Sequence, residues 1–400
     1  MPRAHIITGL DIGTNSLKVL VAQKTPDSDL EVLSFFEEPT VGIRRGIVID
    51  TERVSQASKN VLDNIRTKIG QKIDSVYVNV GGSHIFCILS QGTVAVSRAD
   101  QKISEEDIDR VLEAAQTFSL PSNKEILNVF PRNFIVDGEK VKEALGMEGV
   151  RLEAEALVVC GFSPYFKNLT QAVLNSGIQI QDVIPSPIAA ARACLTPRQK
   201  ELGVALLDIG AGTSSLAVFE EGSLIHLAII PIGSDNITND IAIGLKTDID
   251  IAERIKKEQG SCLCNKAERR KKIEITEPEL LIFTRKKLTD IIEARVSEIF
   301  GEINKELKKI SREALLPAGI VLTGGGAKLP RMVELAKREL RLPCKIGKPQ
   351  GFLGFEKDPR FSTVCGLVLQ GADLETESKF STFGKGITSR LKRILKIFIP

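Results

Sequence analysis

The 400-residue chain has no tryptophan, two tyrosines and three histidines (His5, His84 and His226). Its net charge is only +3, and five cations fall in the last sixteen residues, so the rest of the chain is slightly acidic. A nucleic-acid binder needs a phosphate footprint and stacking platforms, and both are scarce here. Seven cysteines are scattered without a disulfide framework, which fits thiols kept reduced in a cytosol. Cys262 and Cys264 form a C-x-C pair, but no second pair stands at zinc-ligand spacing. No apolar run approaches the roughly 18 residues of a spanning helix. The opening MPRAHIITGL lacks an apolar signal region. Hydrophobic residues make up 42% of the chain, which excludes disorder. The expectation is a cytoplasmic α/β protein of two to four domains, at roughly 100–200 residues per domain.

Two common nucleotide motifs are absent as well. No stretch matches G-x-x-x-x-G-K-[ST]. Gly210-x-Gly212 lacks the third glycine of the dinucleotide fingerprint, and its turn leads into a strand instead of a helix.

What the chain does contain is a duplication. GLDIGTNSLKVLVAQ (9–23) is similar to LLDIGAGTSSLAVFE (206–220), with Asp11 and Asp208 at matching places. Each copy reads as strand, acidic residue, glycine turn, strand, so the repeat is one of domains. Glycines let backbone N–H groups close on an anion. A carboxylate at the strand end can hold a hydrated Mg²⁺. Either copy alone also describes a plain hairpin with an ordinary aspartate; two facing copies would clamp one polyphosphate. A third element, GIVLTGGGAKLPRM (319–332), runs a buried strand into Gly324, Gly325 and Gly326 and then a helix from about Leu329. Such a flat backbone can approach a base and ribose, or simply turn a strand into a helix.

Between these motifs the pattern supports further divisions. Thr51 can cap a helix with Val54, Ala57, Val61, Leu62 and Ile65 on one face. Residues 82–161 read as a compact insert, with Ser104 and Asp107 as the capping box of a helix over 105–118 and two strands near 125–136 and 151–160. Helical patterns dominate 235–309. Residues 372–385 are small and polar, without periodicity, and read as a linker. The last fifteen residues, GITSRLKRILKIFIP, put Ile387, Leu391, Ile394, Leu395 and Phe398 on one helical face, with Arg390, Lys392, Arg393 and Lys396 opposite or flanking. At 1.5 Å per residue that helix is roughly 22 Å long, too short to span a bilayer but suited to lie in its anionic surface. The alternative, a terminal helix docked on the protein's own core, is disfavoured by the polar linker that precedes it.

DIGTNSLK, DIGAGTSS and VLTGGGAK, in this order, resemble the phosphate 1, phosphate 2 and adenosine motifs of the actin-like ATPases. Within them the chain resembles the FtsA family of bacterial cell-division proteins, through GIRRGIVID (42–50), AERIKKEQG (252–260), the end of the insert and the tail. The resemblance spans about residues 5–372 plus the tail. It implies an actin-like fold of two ribonuclease-H-like domains: 1–81 with 162–195, and 196–230 with 310–372. The insert 82–161, a helical subdomain 231–309, a linker 373–385 and an amphipathic helix 386–400 complete it.

The resemblance also implies the roles. Asp11 and Asp208 would hold Mg²⁺ through water, and Gly13, Thr14, Asn15, Ser16 and Lys18 would grip the β- and γ-phosphates of ATP. Gly210, Ala211, Gly212 and Thr213 would close over them. Glu253 and Lys256 would touch sugar and base, although their i, i+3 spacing also describes an ordinary surface pair. Gly324 to Ala327 would pack on the adenosine. Many actin-fold ATPases carry an acidic or amide residue where this chain has Ser186, and a serine cannot act as a carboxylate base. ATP binding with weak turnover at most is therefore expected. The implied partners are the C-terminal peptide of FtsZ, a second copy of the chain in an actin-like polymer, anionic membrane lipid and later divisome proteins, with no nucleic acid. The family's docking site for FtsZ falls on KKLTDIIEARVSEIF (286–300), and the place of action is the cytoplasmic face of the membrane at the division site. Two other readings stay open: a PilM-like pilus-assembly scaffold and a small-molecule kinase of the same fold.

Overall fold

The computed structural model describes residues 6–24, 29–276 and 280–380. The chain opens with three antiparallel strands, β1 (Ile6–Ile12), β2 (Ser16–Lys24) and β3 (Leu30–Pro39), then a small hairpin, β4 (Ile43–Arg44) and β5 (Ile47–Val48). Helix α1 (Thr51–Ile69) follows. Its cap is Asp50, whose side chain accepts from the Arg53 N–H, and not Thr51, which is the first helical residue. Strand β6 (Ser75–Val80) then pairs parallel to β1.

The insert holds β7 (Phe86–Ala95), α2 (Glu105–Ala114), β8 (Lys124–Val136), β9 (Glu139–Val141) and β10 (Arg151–Phe162). The Ser104–Asp107 capping box is formed as expected, but the helix ends at Ala114. Its sheet has the order β7-β10-β8-β9. Gly92 lets α2 lie on β7, since a Cβ there would stand 2.1 Å from the Val111 carbonyl oxygen.

The first domain resumes with α3 (Ser163–Asn175), β11 (Gln179–Pro185), α4 (Ser186–Cys194) and α5 (Pro197–Leu202). The second domain repeats the opening as β12 (Val204–Ile209), β13 (Ser214–Glu220) and β14 (Ser223–Ile230). Helices α6 (Ser234–Leu245) and α7 (Ile249–Gln259) follow, then a hairpin, β15 (Lys272–Ile275) and β16 (Leu281–Thr284), and the long α8 (Arg285–Lys309). That hairpin interrupts the stretch expected to be helical. Strand β17 (Ile320–Thr323), a short 3₁₀ turn over Gly326–Lys328, α9 (Met332–Leu340), β18 (Cys344–Ile346), β19 (Phe352–Leu353) and α10 (Ser362–Phe380) complete the described chain. Helix α9 starts at Met332, after Pro330 and the left-handed Arg331.

The two large sheets have the orders β11-β6-β1-β2-β3-β19 and β14-β13-β12-β17-β18. The chain crosses back after β18, so β19 and α10 belong to the first domain and not to the second, where residues 350–372 were expected. The reason is close packing. A Cβ at Gly366 would stand 1.7 Å from the Ala189 carbonyl oxygen, and one at Gly371 would strike Ile7 and Tyr77. Val364, Leu367 and Val368 are fully buried in the same core as β1, β2 and α4. Helix α10 also runs on to Phe380, over the first eight residues of the expected linker 373–385. Asp373 there is anchored by an ion pair to Arg192. A helix already nucleated on a core propagates through polar residues of fair helix propensity. Residues 381–400, with the rest of the linker and the amphipathic tail, lie outside the described residues.

The insert leans on the second domain. Ser223 donates to the Arg132 carbonyl at 3.2 Å, the Cys87 thiol to that of Leu227 at 3.3 Å, and Lys142 pairs with Glu221 at 2.9 Å. No helix among the described residues is long and apolar enough to cross a membrane.

Candidate functional site

The two duplicated hairpins meet across the cleft between the domains. In the first, the Gly13 N–H donates to the Ser16 carbonyl at 3.1 Å; in the second, Gly210 donates to Thr213 at 2.9 Å. A Cβ on Gly212 would stand 2.8 Å from Thr14 Oγ1 and 3.1 Å from Arg45 Cα. Gly212 is thus where one loop touches the other. It does not line the cleft itself.

Register decides what faces each carboxylate. Asp11 lies opposite Lys18, whose Nζ is 3.3 Å from Asp11 Oδ2, and both are buried. A buried ammonium and carboxylate each need the other. Asp208 lies opposite Ser215 and accepts from Thr363 Oγ1 at 3.2 Å. Burial, with the Asp11 charge adding to it, pushes the Asp208 carboxyl up to about 6. Gly324 abuts it: a Cβ there would lie 2.2 Å from Asp208 Oδ1, and its φ is +84°.

The cleft has a volume of about 630 Å³. Asp11, Gly13, Thr14, Asn15, Ser16, Lys18, Asp208, Gly210, Ala211, Thr213, Glu253, Lys256 and Gly324–Gly326 all line it. Ala327 does not; it is 2% exposed and sits in the core of the second domain. Lys256 reaches the wall, but its ammonium is spent on Glu253 (2.6 Å), Thr238 Oγ1 (2.7 Å) and the Ser234 carbonyl (3.2 Å). Burial alone would raise the Glu253 carboxyl, yet the hydrogen bonds from Lys256 and Thr238 hold it below its ordinary range. Ser186 accepts from Asn79 Nδ2 and donates to the Val80 carbonyl, each at 3.1 Å. Asn79 Oδ1 in turn accepts the Ile12 N–H at 2.7 Å.

Sequence reasoning missed a second set of lining residues. Glu37, on β3, is the register partner of Lys18. Ser16 Oγ donates to Glu37 Oε1 at 2.7 Å. Arg360, from the loop before α10, reaches the same carboxylate, with Nη1 3.8 Å from Glu37 Oε2. Arg360 and Lys328 both pair with Asp358. Burial alone would raise Asp358, but these cations and the Arg360 N–H hold it low. No local motif marks these residues; only strand register and the return of the chain at residue 358 gather them.

These groups suit a phosphorylated, metal-bearing ligand. Two glycine hairpins supply backbone donors, and burial beside the Asp11 charge leaves Asp208 in need of a cation. No cluster of three or more His, Cys, Asp or Glu among the described residues could hold a metal ion. Any divalent ion here would complete its shell with water and ligand oxygens, as Mg²⁺ commonly does.

The expected docking helix is α8. Lys286 and Lys287 are exposed on it, whereas Arg285 is half-buried and bonded to the carbonyl and side chain of Gln259 at 3.3 Å.

Two similar α/β domains around a cleft, each lending a glycine hairpin, define an actin-like protein. Solved structures of that fold cover the chain: a PilM-PilN type IV pilus biogenesis complex (TM-score 0.66, 18% identity, 92% of this chain and 98% of that one) and MreB5 of Spiroplasma citri bound to ADP (TM-score 0.58, 14% identity, 94% and 99%). These likenesses are of fold alone. The family model of cell division protein FtsA matches residues 205–366, and that of the SHS2 domain inserted in FtsA matches residues 82–160. Cell division protein FtsA of Pseudomonas aeruginosa is 36% identical over 381 residues, covering 93% of this chain and 90% of that protein. That of Bacillus subtilis is 36% identical over 372 residues, covering 92% and 84%. The chain belongs to the FtsA family of cell-division proteins.

Proposed function

We propose that the chain binds ATP with Mg²⁺ in this cleft and acts as a peripheral membrane adaptor in division. The observation that carries the nucleotide reading is the meeting of two glycine hairpins, Gly212 against Thr14, each next to a strand that carries a carboxylate. Asp11 and Asp208 would hold the metal through water, and the metal when bound neutralises phosphate charge. Thr14, Asn15 and Ser16 with Lys18, and Ala211 and Thr213, would donate to phosphate oxygens, while Gly13, Gly210 and Gly212 shape the two turns. Gly324–Gly326 leave room for base and ribose. Ser186 can orient a water but cannot take its proton as a carboxylate would, so turnover is slow.

On this reading the chain self-assembles in actin-like fashion and docks the C-terminal peptide of FtsZ on α8, near the exposed Lys286 and Lys287. The tail, with Ile387, Leu391, Ile394, Leu395 and Phe398 beside Arg390, Lys392, Arg393 and Lys396, holds the protein on anionic lipid at the cytoplasmic face of the division site. There it supports later divisome proteins. The family and the tail sequence favour this over a pilus scaffold, to which only the fold is similar.

The test is co-sedimentation with vesicles of graded anionic lipid, beside ATP titration. The full chain should pellet and bind ATP with Mg²⁺. Leu391→Glu with Phe398→Glu should abolish pelleting and leave ATP binding intact. Equal pelleting of both proteins rules out the tail as anchor.

A further inference from the structure

We propose that Glu37 is an internal stand-in for a nucleotide phosphate, and that Arg360 is a phosphate-binding residue of the cleft. The inference rests on the nucleotide reading above and adds two residues to it. Asp11, Lys18 and Glu37 stand side by side on β1, β2 and β3, by direct register. Glu37 therefore belongs to the same row as the first carboxylate and its lysine. Its carboxylate occupies two cation- or hydroxyl-bearing neighbours at once. One oxygen accepts from Ser16 Oγ at 2.7 Å, and the other draws Arg360 Nη1 to 3.8 Å. Ser16 closes the turn that the Gly13 N–H begins. A ligand phosphate entering that turn meets a hydroxyl already engaged by a carboxylate.

Arg360 is placed to serve the same ligand. Its Cγ would lie 3.7 Å from a Cβ on Gly325, so the side chain runs alongside the glycine turn of the second domain while its tip reaches Glu37. Only Nε is hydrogen-bonded, to Asp358 at 3.2 Å. The two terminal nitrogens have no hydrogen bond among the described residues, so four N–H donors remain for an anion. A guanidinium suits this task because its planar fork matches phosphate oxygens.

The charge inventory points the same way. Among the residues that line the cleft, Lys18, Lys256, Lys257, Lys328 and Arg360 stand against Asp11, Glu37, Asp208, Asp235 and Glu253, five against five. A polyphosphate entering this set meets no net positive charge, and Ser16 and Arg360 turn to it only when Glu37 gives them up. Glu37 thus sets a threshold: it keeps Ser16 and Arg360 ordered and lowers the affinity for anything that carries phosphate.

Calorimetric titration of the full chain with ATP, ADP and adenosine, all with Mg²⁺, tests this. Arg360→Gln should weaken ATP about tenfold or more and leave adenosine unchanged. Arg360→Lys should fall between, because a point charge replaces the fork. Glu37→Gln should tighten ATP and ADP about three- to tenfold, again without moving adenosine, and its gain should shrink in the Arg360→Gln background. A Glu37→Gln protein that binds ATP more weakly overturns the stand-in role and makes Glu37 a metal-side carboxylate. An Arg360→Gln protein that weakens adenosine and ATP alike makes Arg360 a structural brace and sinks the phosphate role. If the unaltered chain binds ATP while both variants bind as it does, only this inference fails. If the unaltered chain binds none of the three, the nucleotide reading falls and takes the inference with it.

Discussion

The two glycine hairpins share a backbone and differ in charge. In both, an aspartate is the penultimate residue of the first strand and a glycine N–H closes the turn on a carbonyl three residues on. Opposite Asp11 stands Lys18; opposite Asp208 stands Ser215. That one register position separates a carboxylate paired with an ammonium from one whose carboxyl is pushed up to about 6 by burial. Duplication supplied a symmetric scaffold, and one residue per copy made its halves chemically unequal.

The most disruptive way to break the comparison is Gly324→Ala. The added Cβ would enter Asp208 Oδ1 at 2.2 Å from a left-handed backbone position. We expect loss of ATP binding and a destabilisation of at least about 2 kcal/mol, read by urea unfolding. The same change at Gly210, where the nearest atom is 3.1 Å away, should cost less.

Asp208→Asn removes the inequality at its source. The native carboxyl holds its proton up to about pH 6, against 3.8 for an ordinary aspartate. Between those values the folded state binds more protons than the unfolded, so native stability falls as pH rises from about 4 to about 6. The asparagine variant should lack that fall and be more stable at pH 7, by on the order of 2 kcal/mol. Affinity of the native protein for ATP with Mg²⁺ should climb through pH 6 as the carboxylate ionises, and the variant should be weak and flat. Parallel unfolding and binding curves between pH 4.5 and 7.5 check both.

Ser215→Lys would sharpen the comparison by making the second hairpin resemble the first. An ammonium opposite Asp208 should draw its titration toward the ordinary range and flatten the stability profile above pH 5, with only a few-fold effect on ATP affinity. An unchanged profile would mean that burial outweighs any neighbouring charge at this site.

Much of this was legible because the hairpins are local. Glycine, aspartate and strand alternation lie within fifteen residues, and the capping box at Ser104–Asp107 within four. What could not be read depends on distant pairings. Glu37 enters the cleft by pairing with Lys18, and Arg360 by a chain return more than 300 residues later. Strand β7 alternates too weakly to announce itself, with Leu89 exposed at 56%. The hairpin of β15 and β16 hides behind Lys272, Glu274 and their charged neighbours. Helix α10 was not announced, and residues 372–380 read as linker from their small, polar composition, although they continue a helix already nucleated on the core.

That helix has a mechanical consequence. Gly366 and Gly371 seat α10 directly on α4 and on β1 and β6, so it is the route by which the described chain leaves the protein. A pull applied anywhere beyond Phe380 is therefore delivered first to the sheet that bears Asp11 and Lys18, and reaches the second domain afterwards, through α4 and through the insert. The protein is loaded from one side: tension arriving from its C-terminal end acts first on one jaw of the clamp, and on the other through the core they share.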